Sequence, residues 1–156
     1  MRIAFATCVL GLSLVLLGCG NGYNSSPANL SGNWTANLQQ TSGAAAFSFS
    51  TTLTEVGGSI LNGSNLTFNP ATNCFNSQTT ESGAVQFSGG GYGYYSGGGG
   101  TTAMSLTIKG LSAAGATDTL NLQGTVNPDK SVSGTWTLNG VSATCSGSGG
   151  FTMTRH

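Results

Sequence analysis

From Trp34 onward, apolar residues fall on every second position, with Ser, Thr, Asn or Gly between them. Trp34, Ala36 and Leu38 share one parity, as do Phe47, Phe49 and Leu53, and Met104, Leu106 and Ile108. Leu120, Leu122 and Val126 continue it, followed by Val132, Trp136 and Leu138, by Val141, Ala143 and Cys145, and by Phe151 and Met153. A two-residue period gives a strand one buried and one wet face. It leaves no room for amphipathic helices, which need 3.6. Threonine on the wet face suits strands as well. Shorter strand candidates are 59–61, 65–68 and 84–87, and 111–116 has room for one short helical turn.

Turn chemistry punctuates these runs. Asn139-Gly140 lies between two alternating stretches, a strong hairpin signal. Asn62-Gly63 is a second candidate, and Gly57-Gly58 and Asn127-Pro128-Asp129-Lys130 mark further turns. The expected fold is all-β: a small antiparallel β-barrel, calycin-like, or a β-sandwich, of about eight strands. Both architectures use the same alternation. A membrane-spanning barrel fits poorly, because the face opposite the apolar one is Ser/Thr rather than lipid-compatible.

The first residues are of another kind. Arg2 precedes an apolar run, Ile3–Leu17, too short for a comfortable membrane span and of signal-peptide length. It ends in Leu16-Leu17-Gly18-Cys19, which resembles the lipobox of bacterial lipoproteins. The resemblance implies removal of a signal peptide (1–18) and diacylglyceryl and acyl chains such as palmitate on Cys19. Two or three chains anchor a protein stably where one does not. With Gly20 rather than aspartate next, the resemblance implies the outer membrane of the cell envelope. Residues 19–30 then read as a lipidated flexible tether and 31–156 as the folded domain.

On that reading the cysteine arithmetic is short. Cys8 leaves with the signal and Cys19 carries lipid. Cys74 and Cys145 remain in an oxidising compartment, where a disulfide is the economical outcome and two buried free thiols the alternative.

Gly32-Asn33-Trp34 opens the first strand, and it resembles the Gly-x-Trp of lipocalin-like and avidin-like barrels. In lipocalins a basic side chain from late in the barrel packs across that tryptophan. The resemblance assigns that place to Arg155, as a cation–π partner of Trp34. It carries no ligand over.

Charge is what the chain lacks. Only 5% of its residues are charged, with four basic, four acidic and a single histidine, His156. A net charge near zero disfavours nucleic acid and anionic surfaces as partners. So few acids and one histidine give no metal site, no cofactor site and no triad. The chain therefore reads as non-enzymatic. Glu55, at a strand end, Glu81, in a polar loop after Cys74, and Asp118 and Asp129 all read as solvated surface. A Glu55–Asp118 acid–base pair would have to be brought together by the fold.

Gly89–Gly100 holds Tyr92, Tyr94 and Tyr95 among glycines. Such rings can stack on sugars, peptides or aromatic ligands. With Trp34 and Trp136 they are the candidate ligand-binding residues. Two functions follow: binding of a small apolar molecule or glycan, or a structural or adhesive role through protein–protein contacts. A cavity of several hundred Å3 supports the first, a filled core the second.

Overall fold

A computed structural model of the chain describes residues 29–43, 45–72, 74–75, 79–88, 101–111 and 117–156. The signal segment, Cys19, the tyrosines 92, 94 and 95 and most of 111–116 lie outside the described residues.

Eight antiparallel strands form a closed barrel in which each strand pairs with its sequence neighbours and β1 closes on β8. The strands are β1 (Gly32–Gln40), β2 (Ala45–Val56), β3 (Ile60–Asn69), β4 (Thr80–Ser88), β5 (Thr101–Leu111), β6 (Thr117–Val126), β7 (Val132–Asn139) and β8 (Gly147–Arg155). Closure decides between the two expected architectures in favour of the barrel, and it removes the free edges that a sandwich would have to protect.

The parity read from the sequence is the inside of this barrel. Ala36, Leu38, Phe49, Leu53, Leu106, Ile108, Leu120, Leu122, Val132 and Met153 are all buried. They fill the interior, so it is a core and not a lumen. Interior glycines make room where large side chains cross. Gly124 faces the Phe151 ring, and a Cβ there would meet its Cζ at 2.8 Å.

Each end has its own closure. At one end a strap, residues 29–31, crosses the barrel mouth. Leu30, placed by its sequence position in the tether, is a core residue. Its carbonyl accepts from the Trp34 indole N–H at 2.8 Å, and its N–H donates to Glu55 Oε2 at 3.0 Å. Trp34 and Arg155 are cross-strand partners in the β1–β8 ladder. The Arg155 guanidinium donates to the carbonyls of Asn29 and Ser31, and so ties the strap down.

The other end is stapled. Cys74, in the β3–β4 connection, bonds to Cys145, in the β7–β8 connection, 71 positions further along the sequence. Beneath the bridge lies an aromatic cluster. Phe68 stacks on Phe75 at 4.7 Å, and Phe47 meets Trp136 edge-on at 5.8 Å.

Three local expectations need correction. Asn139-Gly140 is not a two-residue hairpin, because residues 140–146 form a loop with a short 3-10 turn at Ala143–Cys145 that brings Cys145 to Cys74. Val141 is accordingly exposed rather than on a strand. Asn62-Gly63 lies within β3 and is no turn. Gly57-Gly58 does turn the β2–β3 hairpin, with φ of 64° and 75° that favour glycine.

Candidate functional site

Of the eight ladders, the β3–β4 ladder is the short one. It holds three pairs, Ile60↔Ala84, Leu61↔Gly83 and Asn62↔Ser82. Beyond Asn62, β3 stays with β2 while the start of β4 stays with β5. The two strands part towards the stapled end and leave a wedge in the barrel wall.

A bulge causes the divergence. Thr52 pairs with Ser64 and Ser50 with Thr67, so one β2 residue, Thr51, opposes two on β3, Asn65 and Leu66. Asn65 takes φ 56°, the left-handed conformation that bulges of this kind ask of glycine and that asparagine tolerates. The extra residue bends β3 away from β4 and shifts its inward parity from Leu61 and Gly63 to Leu66 and Phe68.

The wedge is a cleft of about 750 Å3. Asn62, Ser64, Asn65 and Thr67 form one wall, and Thr79, Thr80 and Glu81 the other. Ala71, Thr72 and Phe75 close the stapled end, where the Phe68–Phe75 pair presents aromatic surface. Among the described lining residues Glu81 alone is ionisable.

Glu81 is not in a solvated loop, as its sequence context suggests. It lies on β4 with the inward parity of Gly83 and Val85, opposite the fully buried Ile108 of β5. Space for its carboxyl comes from Gly63, since a Cβ at that position would overlap the Glu81 side chain. Burial raises its pKa from 4.5 to about 7, and the hydrogen bond with Thr51 opposes that rise in part.

The proton count around it is informative. Thr51, itself buried, has its Oγ 2.5 Å from Glu81 Oε2 and 3.1 Å from the Ser64 carbonyl. One hydroxyl proton cannot serve both acceptors. With Glu81 protonated, its O–H donates to Thr51 Oγ and Thr51 donates to Ser64 O. Glu81 Oε1 is buried without a partner among the described residues. A charged carboxylate held this way would be costly.

The remaining candidates are dispersed. Trp34 lines a separate cavity of about 290 Å3 at the strap end, beside Leu30, Val126, Lys130 and Arg155. Trp136 lies at the stapled end, where its indole N–H donates to the Gln39 carbonyl at 2.9 Å. Glu55 is engaged by the strap at one end. Asp118, buried rather than solvated, accepts from the Val141 N–H at the other. The fold therefore keeps Glu55 and Asp118 apart. Asp118 lies within 4.8 Å of both cysteine sulfurs, but these are joined to each other. Asp129 is a turn residue; hydrogen bonds from Ser131 lower its pKa.

Sequence reasoning missed the cleft altogether. Its one available signal was the change of apolar parity between Leu61 and Leu66. No known family, curated protein or solved structure matches the chain.

Proposed function

We propose that the chain is a lipid-anchored, non-enzymatic protein of the bacterial cell envelope that binds a neutral glycan in the β3–β4 cleft. The chemistry of the cleft carries this reading. Hydroxyl side chains line both walls and amides one of them, an aromatic pair sits at its closed end, and burial keeps Glu81 neutral below about pH 7. Sugars present both hydroxyls and apolar C–H faces, which such a mixture complements. Its size lies within the usual range for ligand sites. The filled interior supports this choice over an apolar ligand held inside the barrel.

Anchoring rests on the lipobox-like Leu16-Leu17-Gly18-Cys19, and the outer membrane on Gly20. The tyrosines at 92, 94 and 95 lie outside the described residues and form no part of this reading.

Two experiments test the two halves. Titration with a panel of neutral oligosaccharides, followed by saturation-transfer NMR, should show binding that Thr67→Arg abolishes by filling the cleft. Binding by no saccharide, or binding untouched by that change, would overturn the site. Intact mass of the protein from envelope fractions should show acyl chains on Cys19, and Cys19→Ser should release the protein in soluble form. An unmodified Cys19 would refute the anchor alone.

A further inference from the structure

The β3–β4 seam is the short ladder of the barrel wall, and it carries a half-buried carboxylic acid beside it. Four observations converge there. The seam holds three pairs and then parts. Gly63, on the strand that departs, is the residue whose missing side chain houses Glu81. Thr51, opposite the β3 bulge, contacts both Glu81 and the Ser64 carbonyl, so one hydroxyl links β2, β3 and β4. Glu81 Oε1 is buried and unpartnered among the described residues.

We propose that Glu81 is a proton-operated latch on the cleft, which holds β3 against β4 when protonated and lets the seam open when it ionises. The proposal regulates the same cleft offered above as the ligand site. In the closed state the Glu81 O–H donates to Thr51 Oγ, and Thr51 in turn donates to Ser64 O. On ionisation the proton goes to water and the carboxylate keeps the electron pair. Thr51 then has one proton for two acceptors, and the carboxylate is left charged with Oε1 unpartnered among the described residues. Its route to water is the wedge it already lines, and taking that route withdraws the side chain from the Gly63 space.

No charged or titratable group among the described residues faces Glu81, and Thr51 offers it a single hydroxyl. β2 turns Thr51 and Leu53 inward, β3 turns Leu61 and Gly63, and β5 turns Leu106 and Ile108; none of these titrates. Glu55 is at the strap end, bonded to the Leu30 N–H. Lys109, on β5, pairs with Thr80 on the outward parity. Asp118 is at the stapled end on Val141. The burial that lifts the Glu81 pKa to about 7 puts the transition within ordinary environmental pH.

The test uses the purified protein without ligand, so it can fail while the glycan reading stands, and the converse. Amide hydrogen exchange is followed from pH 5.5 to 8.5 and corrected for the chemical exchange rate. The opening constant of seam amides in 60–63 and 82–85 should rise about tenfold per pH unit up to pH 7 and then level off. Amides of the β6–β7 ladder should not follow. Carbon-13 NMR of the Glu81 carboxyl should titrate with the same midpoint. Glu81→Gln, which mimics the protonated group, should keep the seam closed across the range. Thr51→Val, which removes the hydroxyl that links β2, β3 and β4, should raise seam opening at pH 5.5. A Glu81 signal that titrates near 4.5 would overturn the latch. So would a pH dependence that survives in Glu81→Gln, or seam exchange flat with pH in the unmodified protein.

Discussion

The β5–β6 wall and the β3–β4 seam are built from the same residue types yet behave as opposites. From Ala103↔Thr125 to Leu111↔Thr117 the first is an unbroken ladder, with Met104, Leu106 and Ile108 buried against Leu120 and Leu122. The second has three pairs, an asparagine in a left-handed conformation and a carboxylic acid where the wall would take an aliphatic side chain. Apolar alternation without interruption gives a wall. One inserted residue on β3 was enough to turn the same pattern into a cleft.

The largest way to break this contrast is to remove the staple at the closed end of the cleft. Replacing Cys74 and Cys145 by serine should cost about 4 kcal/mol, from the chain entropy of a loop of this length. Urea unfolding would measure it. Hydrogen exchange should show β3 and β4 loosening before β5–β8.

Next comes the charge in the wall. A carboxyl raised from 4.5 to about 7 in the fold binds its proton more tightly folded than unfolded. Its contribution is therefore complete below pH 4.5, lost as pH rises to 7 and absent above. The loss amounts to about 3 kcal/mol. Glu81→Gln should match the unmodified protein at pH 4.5 and exceed it by about that much at pH 8 in urea unfolding.

Gly63→Ala should cost about 1–3 kcal/mol by overpacking the Glu81 space. In the Glu81→Ala background that cost should fall to a few tenths, and the double-mutant cycle would expose the shared space. The smallest effect belongs to the bulge. Asn65→Ala should lose about 1 kcal/mol, for the left-handed backbone and the bond from Asn65 Nδ2 to Thr52, whereas Asn65→Gly should stay within about 0.5 kcal/mol.

Much of the firm wall could be read directly from the sequence. Alternation named nearly every inward residue, because in a closed barrel parity and burial are the same thing. Gly57-Gly58 and the Asn127–Lys130 turn were readable because positive φ and turn hydrogen bonds demand particular residues. The cleft was hidden for the reason that makes it a cleft. The bulge at Asn65 reverses parity within β3, so one strand of ten residues read as two short ones with a false turn at Asn62-Gly63 between them. Glu81 was misplaced because an acid near Cys74, among Ser and Thr, looks like loop. Only the pairing of Thr80 with Lys109 and Glu81 with Ile108 turns it inward. Burial of Asp118 was equally invisible, since it depends on a loop returning from far along the chain to supply the Val141 N–H.

The closure of β1 on β8 has one more consequence. That ladder runs from Trp34↔Arg155 to Gln40↔Gly149 and is as continuous as the hairpin ladders beside it. Arg155 lies against the strap, and the His156 N–H donates to the Asn33 carbonyl of β1 at 3.0 Å. The eight strands thus form a ring in which the order of synthesis marks only where the ring was cut. A circular permutant that joins His156 to Asn29 through a short linker and begins at Thr101 should refold to the same barrel with its cleft intact.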